Sequence, residues 1–156
     1  MTTSNPIWPP VETKDTDIRD LIPQRDPILL VDRLLRVEGD VAEACFTVRA
    51  DLFFLDDDGL LAETGLMEHI AQSASAFAGW RARQSGAETP PVGFIGEVKK
   101  FRCHRRPAVG EELRTTITLL TEFDGILVVG AETQAGGEVV AETQMKVAME
   151  NPHPTH

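Results

Sequence analysis

Apolar and polar positions follow two distinct periods along this chain, and the periods divide it into elements. Residues 17–22, DIRDLI, predict a short helical turn stopped by Pro23. Residues 28–37, ILLVDRLLRV, form an apolar run that ends at the turn signal Glu38-Gly39-Asp40. In the next stretch Ala42, Ala44, Phe46 and Val48 fall on one face, and Glu43, Cys45, Thr47 and Arg49 on the other. That alternation is the signature of a half-buried strand, so the two runs predict a hairpin.

The period then changes. From Leu60 to Gln84 there is no proline, and Met67, Ile70, Ala71, Ala74, Phe77 and Ala78 recur at spacings of three and four. This predicts one long helix, with Thr64 able to serve as its N-cap and a start a few residues earlier equally compatible. Gly86 and the pair Pro90-Pro91 end it. Its middle, AQSASAFAG, is small on nearly every side, which suits a buried helix closely approached by other backbone.

Strand periodicity returns after the helix. Residues 92–103 read as one strand, Leu113, Thr115, Ile117 and Leu119 alternate in a second, and 125–133 and 139–149 supply a third and fourth. Asp124-Gly125 and Gly136-Gly137 are tight-turn signals, so the last three strands predict an antiparallel meander. A hairpin, one long helix and four further strands pack most simply as a curved antiparallel sheet around the helix. The expected class is α+β, of the hot-dog type. Residues 1–16 read as an arm without independent structure, 17–150 as a single domain and 151–156 as a loose tail.

Composition narrows the function. The chain has 156 residues and a formal charge of −10, which disfavours nucleic acid and anionic membrane as partners. No apolar run is long enough to span a membrane, and the N-terminus lacks a basic region followed by an apolar one, leaving the cytoplasm as the expected location. Cys45 and Cys103 lack ligand spacing and read as small buried hydrophobes of a reducing compartment, and the four histidines form no metal-binding group. No metal or cofactor is expected. One segment departs from the acidic background: 97–106 carries Lys99, Lys100, Arg102, Arg105 and Arg106 against Glu97. Such a strip either protects a strand edge or docks an anionic partner.

Three motifs carry a family likeness. LIPQRDPILLVDRLL (21–35), with Pro23, Arg25, Pro27, Leu30, Val31, Asp32 and Arg33 in step, resembles the opening motif of FabZ-type 3-hydroxyacyl-(acyl carrier protein) dehydratases. GLMEHIAQSAS (65–75) resembles their central helix, and FRCHRRPAVGEEL (101–113) a later strand and turn. The family's catalytic histidine, in a loop ahead of the helix, has no counterpart in DLFFLDDDGLLAETG (51–65). FFLDDDG followed by the helix and its AGW looks more like the divergent ApeP type of aryl-polyene clusters. The resemblance implies Glu68 as the residue that handles the substrate hydroxyl. It also implies a substrate carried on phosphopantetheine, by an acyl carrier protein or coenzyme A, and a homodimer or a heterodimer with a homologue.

The residues themselves single out Glu68, a carboxylate on an otherwise apolar helix that shares a face with Gln72, Ser75 and Gly79. It is either a catalytic acid or a buried glutamate tied to Gln72 or to backbone. His69 lies about 100° round the helix, as a packing or dimer-contact histidine or a substitute base. Asp56 and Asp57, in the run Asp56–Asp58, are the loop's ionisable candidates, set against a solvated turn. Gln72, Gly65, Gly93, Phe94 and Gly96 are candidate substrate contacts, and the free N–H groups near Thr64–Met67 a candidate oxyanion site. Three functions fit: a dehydratase acting on 3-hydroxyacyl thioesters, a non-catalytic subunit or carrier-binding module, and an acyl thioesterase using a lone helix carboxylate.

Overall fold

The computed structural model describes residues 11–13 and 15–150. In chain order it comprises β1 (Val11–Glu12), a 3-10 turn (Ile18–Asp20), β2 (Arg33–Glu38), β3 (Val41–Thr47) and α1 (Glu63–Gln84). Four long strands follow: β4 (Val92–Cys103), β5 (Glu112–Phe123), β6 (Ile126–Ala135) and β7 (Glu138–Glu150). They form one antiparallel sheet in the order β1-β2-β3-β5-β6-β7-β4. This is the α+β hot-dog architecture that the periods predict.

The turns explain the meander. Asp124-Gly125 (φ 55° and 78°) and Gly136-Gly137 (φ 60° and 83°) are both left-handed, the pattern of tight hairpin turns whose twist matches that of the strands. Bulges in β2, β4, β5 and β7 bend the strands and curl the sheet. The inward row Leu113, Thr115, Ile117 continues through Val129, Ala131 and Thr133 to Met145 and Val147, all buried against α1.

α1 is enclosed, as its composition predicts. Residues 69–77 are buried without interruption. Two glycine contacts set how close its neighbours come: a Cβ on Gly79 would sit 2.0 Å from the Leu21 carbonyl oxygen, and one on Gly93 of β4 would sit 2.2 Å from Ser75 Oγ. The helix starts at Glu63, with Ala62 rather than Thr64 in the N-cap position and no side-chain cap. At its end the Ala87 N–H returns to Ala82 O across left-handed Gly86 (φ 98°).

Three sequence expectations need correction. The apolar run 28–37 is a strand only from Arg33, because the backbone of 28–30 is bonded by helix side chains instead of by a neighbouring strand. The arm contributes β1, where Val11 and Glu12 pair with Val37 and Arg36 and the Thr13 hydroxyl donates to Leu34 O. Cys45 is buried as expected, but Cys103 is only half-buried. The rest of the arm (1–10 and Lys14) and the tail 151–156 lie outside the described residues.

Candidate active site

The site is built on one turn of α1 and the irregular segment 28–30 beside it. Spacing of four places Glu68 and Gln72 on one helix face, and Gln72 Nε2 donates to Glu68 Oε2 at 3.0 Å. Gln72 is 1% exposed, and the rest of its amide is also engaged. Nε2 donates to Ile28 O at 3.0 Å, and Oε1 accepts from the Leu30 N–H at 2.7 Å. Glu68 is half-buried, so its carboxylate stands at the edge of the core rather than within it.

His69 faces inward. Nδ1 donates to Leu30 O (2.7 Å), and Nε2 meets Thr115 Oγ1 (2.7 Å), which in turn meets Thr133 Oγ1 (2.7 Å). Burial pushes the imidazole down to about 4, opposed only in part by its bond to Leu30. The ring is therefore neutral near pH 7, and the proton positions follow. Nδ1 carries the hydrogen because a carbonyl can only accept, so Nε2 accepts from Thr115 and Thr115 accepts from Thr133. Of the open readings for His69, this is the packing one. A threonine on the inward face of each of two apolar strands was the available sequence signal for this chain.

The acidic loop is tied down. Arg106 donates from one guanidinium nitrogen to Asp56 and from the other to Asp58, the latter at 2.7 Å. Asp58 also accepts the Leu60 N–H, and that bond together with Arg106 holds its carboxyl below the ordinary range. Asp57 is exposed at the tip of the turn. The loop is further sewn to 107–109 through Leu61 N–H to Pro107 O and Val109 N–H to Gly59 O. Arg105 is similarly occupied: it grips Glu111 through two bonds of 2.8 and 2.9 Å and reaches Glu138 at 2.5 Å. That grip draws the Glu111 carboxyl down to about 2.

The remaining basic side chains lie on β4. Lys99 sits 3.9 Å from Glu97, while Lys100 and Arg102 have no acidic partner within 4.0 Å among the described residues. Lys100 occupies a left-handed backbone position (φ 55°) in the bulge between Lys99 and Arg102. With Arg102 it borders an open groove on the sheet face away from α1, alongside Thr116, Thr118, Glu132, Gln144 and Glu142, the last of which bonds His104.

Among the glycines, Gly65 packs on Leu61 and Phe54, and Gly93 on Ser75, so the helix and its preceding loop fill the space each leaves. Gly96 is exposed and has only ordinary contacts. Phe94, 53% exposed, stands on β4, which is hydrogen-bonded to β7 on one side and is the last strand of the sheet. The exposed apolar residue Ile28 (46%) adjoins the glutamate turn through its carbonyl, and Phe53 (72%) is tied to the residue before it by its N–H to Pro27 O. At the helix start, Thr64 is exposed and Glu63 occupies the first turn. No group of three metal-ligating side chains occurs among the described residues, and no helix there is long and apolar enough to cross a membrane.

Comparison with known proteins places this geometry. The family model for ApeP dehydratase (ApeP-like) matches residues 16–155. The 3-hydroxyacyl-(acyl carrier protein) dehydratase FabZ of Helicobacter acinonychis is 31% identical over 138 residues, covering 83% of this chain and 86% of that protein. FabZ of Clostridium botulinum is 27% identical over 135 residues, covering 83% and 90%. Among solved structures, the dehydratase heterocomplex ApeI:P from Xenorhabdus doucetiae superposes with a TM-score of 0.80 at 21% identity, covering 86% of this chain and 91% of that one. The motifs at 21–35, 65–75 and 101–113, the hot-dog fold and the match over nearly the whole chain agree: the protein belongs to the ApeP-like family of hot-dog dehydratases.

Proposed function

We propose that this chain acts on 3-hydroxyacyl thioesters of an acyl carrier protein, in fatty-acid or polyene-type synthesis, as one half of a hot-dog dimer. Glu68 serves the hydroxyl. In dehydration a base takes the proton from C2, the C–H electron pair forms the C2–C3 double bond, and the C3 hydroxyl leaves as water with the proton of the Glu68 carboxyl group, which the proton taken from C2 then restores. The observation that carries this reading is the half-buried carboxylate held by Gln72, whose amide also bonds the backbone of the exposed apolar residue Ile28. An acyl chain or a second protomer would cover that apolar surface.

The base must reach C2 from the other side, and the chain's own candidates are badly placed for it: Asp57 is exposed at the tip of its turn, away from the core. His69 has both nitrogens bonded inside the core, and Asp56 and Asp58 are paired with Arg106. This favours a base supplied by a homologous dehydratase subunit, with the chain described here contributing Glu68 or serving as its non-catalytic partner. The FabZ relatives are named as dehydratases, and the ApeI:P neighbour as a dehydratase heterocomplex. Both support the reading.

The test is turnover of a 3-hydroxyacyl carrier substrate by the chain alone and with a homologous dehydratase, each with Glu68→Gln. Loss of roughly 10²–10⁴-fold on substitution supports a catalytic Glu68. An active complex that ignores the substitution assigns the partner role, and release of free thiol instead of enoyl product assigns thioester hydrolysis.

A further inference from the structure

We infer that the outer face of the sheet carries an interface of its own, by which two copies of this chain pack face to face. Alternation along the strands sets which side chains form that face. Val147, Leu127 and Val129 are buried against α1, so their neighbours Ala148, Ile126 and Val128 point the other way. Residues directly opposite one another share a face, and the register aligns four apolar side chains in one row. Phe94 pairs with Ala148, Ala148 with Ile126, and Ile126 with Phe123. The row crosses β4, β7, β6 and β5, three steps of about 4.8 Å each. Val128 and Leu120 widen it into a band, Leu120 lying over Gly130, where an added Cβ would come within 3.9 Å of its Cδ1.

The band is open to water: Phe123 is 79%, Phe94 53%, Leu120 51% and Ile126 41% exposed. Single apolar side chains on a surface need no partner, whereas an aligned band of them marks a contact. It lies across the sheet from α1, so the chemistry at Glu68 does not use it. Charge identifies the occupant. On the side of the band toward the middle of the strands, Lys99 and Lys146 stand 3.9 and 3.3 Å from a shared Glu97, leaving that side net positive. Beyond the other side lie Asp124, in the turn between β5 and β6, and Glu150, at the end of β7, both exposed and both acidic. Glu122 turns away to Arg81 on the inner side. A two-fold axis running along the row exchanges the two sides, so the basic side of each copy meets the acidic side of the other. The surface is complementary to itself, as an isologous interface requires. Elsewhere copies of a chain of charge −10 repel, and a partner of uniform charge would match only one side of the band.

Sedimentation velocity on the full chain tests this. Phe123→Ser/Ile126→Thr should sediment with half the wild-type mass at equal concentration, with an unchanged far-ultraviolet circular dichroism spectrum. Neither residue lies on β4, so a dimer joined at that strand edge survives the substitutions and the two contacts are read apart. A pair of charge variants carries the test where the apolar substitutions do not fold. Lys99→Glu/Lys146→Glu makes both sides of the band acidic, and Asp124→Asn/Glu150→Lys makes both basic. Each alone should lose the larger species, and equimolar mixing should restore it because opposite sides face each other again. A wild type no heavier than Phe123→Ser/Ile126→Thr at any concentration, or charge variants that do not recover on mixing, would overturn the inference. Co-sedimentation of such a wild type with phosphatidylcholine vesicles would give the band to a lipid surface instead.

Discussion

His69 Nε2 lies 2.7 Å from the hydroxyl of Thr115, and neither residue reaches solvent. The imidazole is neutral in the fold, whereas in the unfolded chain it gains a proton near its ordinary value of 6.5. Between those limits the unfolded state binds more protons, so stability falls as pH drops from about 6.5 toward about 4 and is fully present above that window. A gap of this size corresponds to roughly 3 kcal/mol. Urea denaturation at pH 7.5, 6 and 5 should show the decline. His69→Leu should be less stable at pH 7.5 yet lose less over the same interval. Parallel declines in both proteins would place the titrating group elsewhere.

Gly79 sets the distance between α1 and the turn at 18–22. Alanine is favoured over glycine inside a helix by about 1 kcal/mol, so a free helix face would gain from Gly79→Ala. Here the new methyl would lie 2.0 Å from a backbone oxygen of Leu21, which cannot rotate away. Overpacking wins, and a net loss of about 2 kcal/mol should lower the melting temperature by roughly 4–8 °C. Calorimetry showing an unchanged or raised midpoint would refute the close approach.

Gly93 has a softer neighbour, and that changes the outcome. Its added Cβ would meet Ser75 Oγ at 2.2 Å but Ser75 Cβ only at 3.3 Å. Gly93→Ala alone should destabilise by roughly 1–3 kcal/mol, and adding Ser75→Ala should recover most of that loss. Additive losses in the double variant would mean that the strand, not the hydroxyl, is the obstacle.

These contacts also mark what the sequence could and could not disclose. Period and turn chemistry located the long helix, β4 and the two tight turns, because each depends on residues adjacent in the chain. Glu68 and Gln72 were legible as a pair since helical spacing alone joins them. The irregular course of 28–32 was not. Its Ile28 and Leu30 carbonyls and Leu30 N–H are satisfied by Gln72 and His69, some forty positions away, and no local pattern records such a bond. Counting charges over 97–106 also overstated the basic strip. The acids that occupy Arg105 and Arg106 lie outside it, at Glu111 and Glu138 downstream and at Asp56 and Asp58 upstream.

That distinction yields the last prediction. If an acidic carrier protein docks on this strip, its binding should depend on Lys100 and Arg102, which make no ion pair within 4.0 Å among the described residues, rather than on the most basic dipeptide. Lys100→Glu/Arg102→Glu should weaken carrier binding about tenfold or more at low salt, remove most of its salt dependence and leave the melting temperature within a few degrees. Arg105→Glu should act in the opposite sense. It removes the bonds to Glu111 and Glu138 and sets like charges together where the Ala108 N–H and Glu111 shape the turn into β5. Exposed pairs contribute little singly, but a reversed charge facing two acids turns attraction into repulsion. Its melting temperature should fall while carrier affinity at a temperature where it remains folded changes little. Titration calorimetry with thermal melts separates the cases. Equal affinity losses for both variants would extend the docking surface to Arg105, and no loss in either would leave the strip with edge protection alone, the role lysine and arginine commonly play on a terminal strand.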